Sequence, residues 1–173
     1  MDSIKVTENK LSGWSNTTYS SSKTYHPTKY EEIIEIFQFA LSRNLTVSIL
    51  GGKRSYSDNF LNTEISLDIN KLNKIIELNG NELQVQSGVT FYDIAEFLDG
   101  KGLMIEVIPG TGHVSIGGAV SNNIHGKNAF KSGFFGNHIL EITYINLSNF
   151  KIEKCTREKN SDVFYSIISG LGV

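Results

Sequence analysis

The sequence predicts a mixed α+β domain, and three observations lead to that class. Ile33, Phe37 and Ala40 recur at the spacing of one helical face. Several shorter segments alternate apolar and polar residues, or are apolar runs that end in turn residues, as strands do. The third observation is that 16 glycines, against 2 prolines, cluster behind such segments instead of scattering, which indicates backbone that lies close to a ligand.

Composition and charge limit the kinds of partner. The 173 residues carry a formal net charge of -2, which provides no basic surface for a nucleic acid. No stretch approaches the roughly 20 apolar residues of a membrane-spanning helix, so we expect no transmembrane segment. The single cysteine, Cys155, cannot form an internal disulfide, and the polar N-terminus lacks a secretory signal. We therefore expect a cytoplasmic protein.

The first predicted elements are an extended lead-in, a helix and a strand. Residues 1–27 are polar and include a Ser/Thr-rich run, and we expect them to pack as extended chain. Thr28 and Glu31 have the spacing of a capping box, which predicts a helix over residues 29–43. The apolar run 46–50 then predicts a short strand that leads into a pair of glycines.

The middle of the chain predicts a strand, a β-hairpin and a second helix. Apolar residues alternate with polar ones over 65–69, as in a strand. The residues predicted to face one another across a turn at 79–81 are Ile76, Leu78, Leu83 and Val85. Thr90 and Asp93 should cap the second helix, which ends by Gly102.

The last predicted elements are a second hairpin and a third helix. Residues 138–146 form a strand with apolar groups on both of its faces, so other elements should cover both sides. Residues 151–156 are its predicted hairpin partner. Ser161 begins a helix that carries apolar residues as far as Ile168.

The first candidate site is a glycine turn directly behind a strand, which we call the first glycine loop. Its residues are Ile49, Leu50, Gly51, Gly52, Lys53, Arg54, Ser55, Tyr56, Ser57, Asp58 and Asn59. Backbone N–H groups of such a turn can converge on phosphate oxygens, with Lys53 or Arg54 adding charge. An ordinary glycine turn with a solvated basic pair is an equally acceptable interpretation of this segment alone.

The second candidate site is the stretch 109–128, which we call the second glycine region. Backbone amides and small side chains dominate it, so a planar or phosphorylated ligand can lie against the main chain. A purely structural loop is the less favoured alternative, because loops this long are usually functional. Ser115 replaces the third glycine of a dinucleotide fingerprint, so we reject a Rossmann site. The glycine-spaced Gly-Lys-Ser/Thr of a P-loop is also absent from the sequence.

Other kinds of chemistry have weak support. The four histidines, His26, His113, His125 and His138, lack the spacing of metal ligands, so we expect no metal site. No Gly-x-Ser-x-Gly segment supports a serine nucleophile. Cys155 lies in a predicted strand without a neighbouring histidine, which favours inert packing over a nucleophile.

Taken together, the two glycine segments resemble the FAD-binding domain of the vanillyl-alcohol oxidase and p-cresol methylhydroxylase superfamily. Residues 116–128 and 132–138 are especially similar to the decaprenylphosphoryl-β-D-ribose 2-oxidase group. Residues 12–14, 54–59 and 109–111 support the same resemblance, which extends over about residues 12–172.

The resemblance implies a fold and an organisation. Behind the lead-in 1–27, residues 28–173 would form an FAD-binding domain of the p-cresol methylhydroxylase type. Two α/β subdomains, 28–70 and an incomplete 71–173, would hold FAD between them. Because family members are far longer, we expect this chain to be the N-terminal FAD-binding part, truncated at its C-terminus and inactive alone.

The function that the resemblance implies is FAD-dependent oxidation of a sugar or polyol hydroxyl. The substrate would be a small molecule, free or lipid-linked. Two alternatives remain open: a non-catalytic flavin-binding module, and an aldonolactone or alditol oxidase of the same superfamily. Neither the electron acceptor nor the catalytic base is assigned.

The resemblance also implies roles for residues. The first glycine loop would wrap the FAD diphosphate, and Gly117 and Gly118 would hold the main chain against the cofactor. Arg54 stands where covalent relatives often carry the histidine that binds the flavin, so we expect non-covalent FAD. Lys53 and Ser57 stand where closer relatives usually carry glycine. In the second glycine region the implied cofactor residues are Pro109, Gly110, Thr111, Ser115, Ile116, Gly117, Gly118, Asn122, Asn123, Ile124, His125, Gly126 and Asn128, and the implied substrate-side residues are His125 and Lys127.

Overall fold

The computed structural model describes residues 4–172. Its strands and helices follow the predicted α+β pattern. They are β1 Lys5–Ser12, β2 Tyr19–His26, α1 Tyr30–Ser42, β3 Val47–Leu50, β4 Ile65–Asp68, β5 Ile75–Asn79, β6 Glu82–Val85, α2 Phe91–Leu98, α3 Ile116–Ser121, α4 Ala129–Ser132, β7 Glu141–Asn146, β8 Lys151–Thr156 and α5 Ser161–Ile167, with 3-10 turns at Ile69–Lys71 and Phe135–His138.

The first part of the chain forms a four-stranded sheet in the order β1-β2-β4-β3. β1 pairs antiparallel with β2, while β2 and β3 both run parallel to β4. Helix α1 packs on this sheet through Ile33, Ile36 and Ala40, which share a core with Ile65 and Leu67. The carboxyl ends of β3 and β4 therefore lie side by side, and the first glycine loop begins at that edge.

The lead-in is extended, as expected, but it also takes part in the sheet. β1 and β2 pair along their whole length, from Lys5 opposite His26 to Ser12 opposite Tyr19. Lys23 of β2 lies opposite Ile65 of β4. The sequence did not reveal this pairing, because the strands are mostly polar and their partner is distant in the chain. Residues 1–3 of the lead-in lie outside the described residues.

Helix α1 begins with a capping carboxylate one residue beyond the one predicted. Lys29 is the N-cap, so the third helical residue is Glu32 and not Glu31. The Glu32 carboxylate accepts the N–H groups of Thr28 at 2.6 Å and of Lys29 at 3.3 Å. The hydrogen bond from the Thr28 backbone is the main cause that lowers the pKa of Glu32 below its usual value.

The first hairpin and the second helix form where predicted, with one difference in register. Leu78 lies opposite Leu83 as expected, but an irregularity between residues 75 and 77 places Ile75, and not Ile76, opposite Val85. Ile76 consequently points outward and is 54% exposed. Thr90 caps α2, because its hydroxyl oxygen accepts the N–H of Asp93. The Asp93 carboxylate in turn accepts the backbone N–H of Thr90.

Part of the second glycine region is a helix that the sequence did not predict. Two adjacent glycines give α3 a low intrinsic helix propensity, and contacts with the preceding segment stabilise it instead. The N–H of Ile116 donates to the Val89 carbonyl at 2.7 Å, and that of Gly117 to the Ser87 carbonyl at 2.8 Å. Ala119 at the centre of α3 is fully buried, in a core that also contains Phe91, Val107 and Phe135.

The second hairpin also forms, although β7 begins at Glu141 and not at the predicted residue 138, which lies in a 3-10 turn. The expectation that other elements cover both faces of β7 is wrong for the described residues. β7 and β8 make a separate two-stranded sheet, and no residue of β7 is buried. Leu140, just before β7, is 57% exposed. Helix α5 follows the hairpin and buries Phe164 completely. The described elements therefore leave the apolar side chains of β7 partly uncovered.

Cys155 gives a test of the fold. Its side chain is 0% exposed, and burial, followed by the charge of Glu141, raises the pKa of the thiol. A raised pKa lowers the thiolate fraction, so we expect a disulfide-exchange reagent in mildly alkaline buffer to modify the folded chain about 100-fold more slowly than the denatured chain. Absorbance of the released thiol measures the rate.

The matched control carries its cysteine on the surface. In Cys155→Ala combined with Lys159→Cys, the thiol occupies an exposed position and should react rapidly whether the chain is folded or denatured. Rapid modification of the unaltered folded chain would show that β8 does not bury Cys155.

Candidate functional site

The two glycine segments meet at the hydroxyl group of Ser115. Ser115 is 1% exposed, and its Oγ accepts the N–H of Gly52 at 3.1 Å. The same oxygen accepts the N–H of Gly118 at 3.3 Å and so caps α3. One buried hydroxyl therefore joins Gly52 of the first glycine loop to the N-cap of α3, 63 residues later in the chain.

Gly51 and Gly52 are required by this contact between the segments. A Cβ on Gly52 would lie 2.2 Å from the carbonyl oxygen of His113, and one on Gly51 would lie 2.4 Å from Ser115 Oγ. Side chains at either position would push the segments apart. The physical reason for these two glycines is thus packing of the chain on itself, which was not expected from the sequence.

The glycines of the second region differ in what lies beside them. A Cβ on Gly117 would lie 2.9 Å from the Ser87 Cβ, so this glycine lets the main chain pack against Ser87, which the sequence did not reveal; its place beside the cofactor stays a prediction. A Cβ on Gly118 would approach only Ser115 Oγ, at 3.1 Å, and one on Gly110 would meet nothing within 4 Å. Gly110 therefore borders open space, whereas Gly118 has a close neighbour only in the Ser115 hydroxyl.

The turn between β1 and β2 covers one side of the first glycine loop. The N–H of Trp14 donates to the Ser55 carbonyl at 2.8 Å, and the Ser15 hydroxyl donates to the Tyr56 carbonyl at 2.7 Å. The guanidinium of Arg54 lies 4.7 Å from the centre of the Trp14 ring. Its Nε is buried and has no hydrogen-bond partner among the described residues.

A buried carboxylate lies beneath the other side of the loop. Asp68, at the end of β4, is 6% exposed, and its Oδ2 lies 3.2 Å from the Nζ of Lys53 and 3.8 Å from the Nδ1 of His26. Next to it, the Asn70 side chain donates to the Gly51 carbonyl at 3.3 Å. The sequence analysis missed Asp68 and Asn70. Their only signal is that they lie at or directly after the end of the predicted strand 65–69, which follows the loop in the sequence.

The remaining residues predicted in the first glycine loop frame its two ends. Leu50 is fully buried at the end of β3, in a small cluster with Leu11 and Phe60. Tyr56 is 76% exposed, and Ser57 and Asn59 are exposed as well. The Asp58 carbonyl accepts the N–H of Leu61 and so closes a turn.

The asparagines of the second glycine region bind the chain itself. Asn122 donates to the Gly118 carbonyl at 2.9 Å, and Asn123 Oδ1 accepts the N–H of Gly136 at 2.9 Å. Asn128 donates to the Glu106 carbonyl at 2.9 Å. These amides fix the turns that follow α3.

The predicted substrate-side residues lie beyond α3. His125 is exposed and forms an isolated β-bridge with Phe134, whose ring lies 5.8 Å away in an edge-on contact. Lys127 borders an open cavity of about 390 Å³ whose other lining residues are Met104, Glu106, Ile108, Pro109, Gly110 and Asn128. One cation, one carboxylate and an apolar floor thus share this cavity.

Two other kinds of site were searched for over residues 4–172. No group of three or more His, Cys, Asp or Glu side chains there is arranged to hold a metal ion. None of the helices in that range has both the length and the apolar character needed to cross a bilayer.

Relatives of known activity match nearly the whole chain. Decaprenylphosphoryl-beta-D-ribose oxidase of Mycolicibacterium smegmatis is 28% identical over 97% of this chain and 37% of its own length. L-gulonolactone oxidase of Mus musculus is 25% identical over 94% of this chain and 37% of its own. D-arabinono-1,4-lactone oxidase of Candida glabrata is 26% identical over 86% and 29%, respectively. The chain thus spans between 29% and 37% of the length of these relatives.

A solved structure and a family model agree on the fold. The structure of a chitooligosaccharide oxidase superposes with a TM-score of 0.80 over 91% of this chain and 34% of its own, at 17% sequence identity. The family model described as an FAD binding domain matches residues 22–156. The chain therefore belongs to the FAD binding domain family, with the fold of the vanillyl-alcohol oxidase and p-cresol methylhydroxylase superfamily.

Proposed function

We propose that the chain binds FAD without a covalent bond, between the first glycine loop and the second glycine region. It would serve as the FAD-binding part of an oxidoreductase that oxidises a hydroxyl group of a sugar or polyol. The observation that carries the proposal is the contact at Ser115. It brings together two amide-rich segments that lie far apart in the sequence, within the range matched by the FAD binding domain family.

Three groups in the chain are suited to FAD. The buried Nε of Arg54 is a donor without a partner in the described chain, and a flavin or phosphate oxygen would satisfy it. Gly110 borders open space, and Gly118 has only the Ser115 hydroxyl as a close neighbour, so the main chain can approach a cofactor at both positions. Arg54 also lacks the nucleophilic nitrogen with which a histidine attaches a flavin, which supports non-covalent binding.

His125 and Lys127 are the groups that we assign to the substrate side. When bound, FAD accepts the two electrons released in an alcohol oxidation. The Lys127 ammonium, next to an open cavity with Met104 and Ile108, can hold a sugar hydroxyl or the phosphate of a lipid-linked sugar. His125 lies two positions before Lys127 in the sequence and is exposed. Its ring can accept a hydrogen bond from a substrate hydroxyl.

The relatives favour a second candidate within the same chemistry. L-gulonolactone oxidase and D-arabinono-1,4-lactone oxidase are 25% and 26% identical to this chain. Decaprenylphosphoryl-beta-D-ribose oxidase, at 28%, is only slightly more similar. Because the chain covers only 29–37% of these relatives' length and is expected to be inactive alone, dye reduction is measured on a protein of the relatives' full length that contains this chain, with pentoses, aldonolactones and alditols as substrates. A preference for pentoses supports the first candidate, and a preference for aldonolactones or alditols supports the second. FAD binding without turnover of any of them leaves a flavin-binding module.

The first test is FAD binding itself. We expect the purified chain to quench FAD fluorescence in a saturable titration. Precipitation with acid or heat should then leave the yellow flavin in the supernatant, because no covalent bond holds it. A sample in which FAD is added after precipitation is the control. Flavin that stays with the precipitated protein would contradict the non-covalent assignment.

The second test removes the contact between the two segments. Ser115→Ala deprives α3 of its cap and leaves the Gly52 N–H without its acceptor, each at a cost of about 1 kcal/mol. We expect FAD affinity to fall by about tenfold or more, because about 1.4 kcal/mol corresponds to a factor of ten. Fluorescence titration measures the affinity.

Ser121→Ala is the matched control on the same helix. The Ser121 hydroxyl donates to the Gly117 carbonyl within α3 and does not reach the first glycine loop. FAD affinity should remain near that of the unaltered chain. Equal losses in both variants would mean that the stability of α3, and not the contact between the segments, controls binding.

A further inference from the structure

The geometry points to Lys53 as a positioning residue that fixes the first glycine loop, and not as a ligand of a phosphate. The inference rests on the proposed binding of FAD, and it assigns the loop's two cations different tasks. Lys53 would hold the backbone in place through Asp68. Arg54, whose Nε lacks a partner in the described chain, would remain available to the cofactor.

The backbone at Lys53 has a conformation that side chains disfavour. Its φ is +55°, in the left-handed region where glycine is at ease and a Cβ causes crowding. A lysine therefore needs a compensating interaction to stay there. The ion pair with Asp68, at 3.2 Å, is that interaction.

Asp68 is itself well placed to hold the loop. It lies opposite Leu50 in the parallel pairing of β3 and β4, beside the residue at which the loop leaves the sheet. Its side chain is only 8% exposed, and a carboxylate that is both buried and ionised needs partners. Lys53 and the N–H of Asn70, 3.0 Å from Oδ1, are the near partners, and His26 Nδ1 lies farther away, at 3.8 Å from Oδ2.

The end of β4 also binds Gly51, the first glycine of the loop. Asn70 follows Asp68 by two positions, and its side chain donates to the Gly51 carbonyl. Residues at the end of β4 thus bind the loop at two points, by a hydrogen bond at Gly51 and by an ion pair at Lys53. Because the ammonium is paired with a carboxylate, it contributes little net charge toward a diphosphate.

Two substitutions at residue 53 separate positioning from phosphate binding. Lys53→Gly and Lys53→Ala both remove the ammonium, but only glycine accepts the left-handed backbone without crowding. We expect the alanine variant to bind FAD about tenfold more weakly than the unaltered chain and the glycine variant to stay within about threefold of it. Equal weakening in both variants would assign the ammonium to the phosphates and overturn the inference, and so would unchanged binding in both.

Asp68→Asn tests the other half of the pair at nearly constant shape. If Lys53 positions the loop, FAD affinity should fall, and Asp68→Asn should cost little more when added to Lys53→Gly. If Lys53 is instead a phosphate ligand, removal of the competing carboxylate should leave affinity unchanged or raise it. Thermal unfolding of each variant verifies that it is folded.

Hydrogen exchange without FAD keeps this inference separate from the proposed function. The amides of residues 51–57 should exchange faster in Lys53→Ala and in Asp68→Asn than in the unaltered chain or in Ser121→Ala. Unchanged exchange in both variants would overturn the positioning role. Failure of the unaltered chain to bind FAD would instead refute the proposed function, while the exchange result would still decide whether Lys53 holds the loop.

Discussion

The buried hydroxyl of Ser115 is the interaction on which the site depends. It accepts N–H groups from both glycine segments, so the position of the first loop and the start of α3 are set together. Around it the two backbones approach so closely that neither Gly51 nor Gly52 has room for a Cβ. Close packing between main chains leaves few side chains at the junction, and amides and small groups therefore dominate the surface beside it.

The first glycine loop has little structure of its own and is held from three directions. The turn at Trp14 and Ser15 binds one side, Ser115 binds the base, and the end of β4 binds the other side through Asp68. Only Ile49 and Leu50, at its start, belong to a regular element. Such a loop owes its shape to its surroundings, which explains how it accommodates a lysine at a backbone position that favours glycine.

Elements with local signals were predictable, and elements held by distant contacts were not. Helix α2 has its own cap in Thr90 and Asp93, and the second hairpin has its own alternation, so both form where expected. Helix α3 has two glycines and relies on the Ser87 and Val89 carbonyls, which no local pattern reveals. The candidate site was found as two stretches of sequence, but Asp68 was not, because a carboxylate after a buried strand looks like an ordinary strand end.

The supports of the first glycine loop also bear on the order of folding. Ser15 reaches Tyr56 across 41 residues of chain, and Gly52 reaches Ser115 across 63. Contacts between such distant residues must overcome the entropy of closing long loops, and they generally form after local helices and hairpins. The loop is therefore expected to gain its shape late, once the sheet and α3 already exist. A ligand that requires this shape would meet a chain that is already folded, and would select the ordered loop without nucleating the fold.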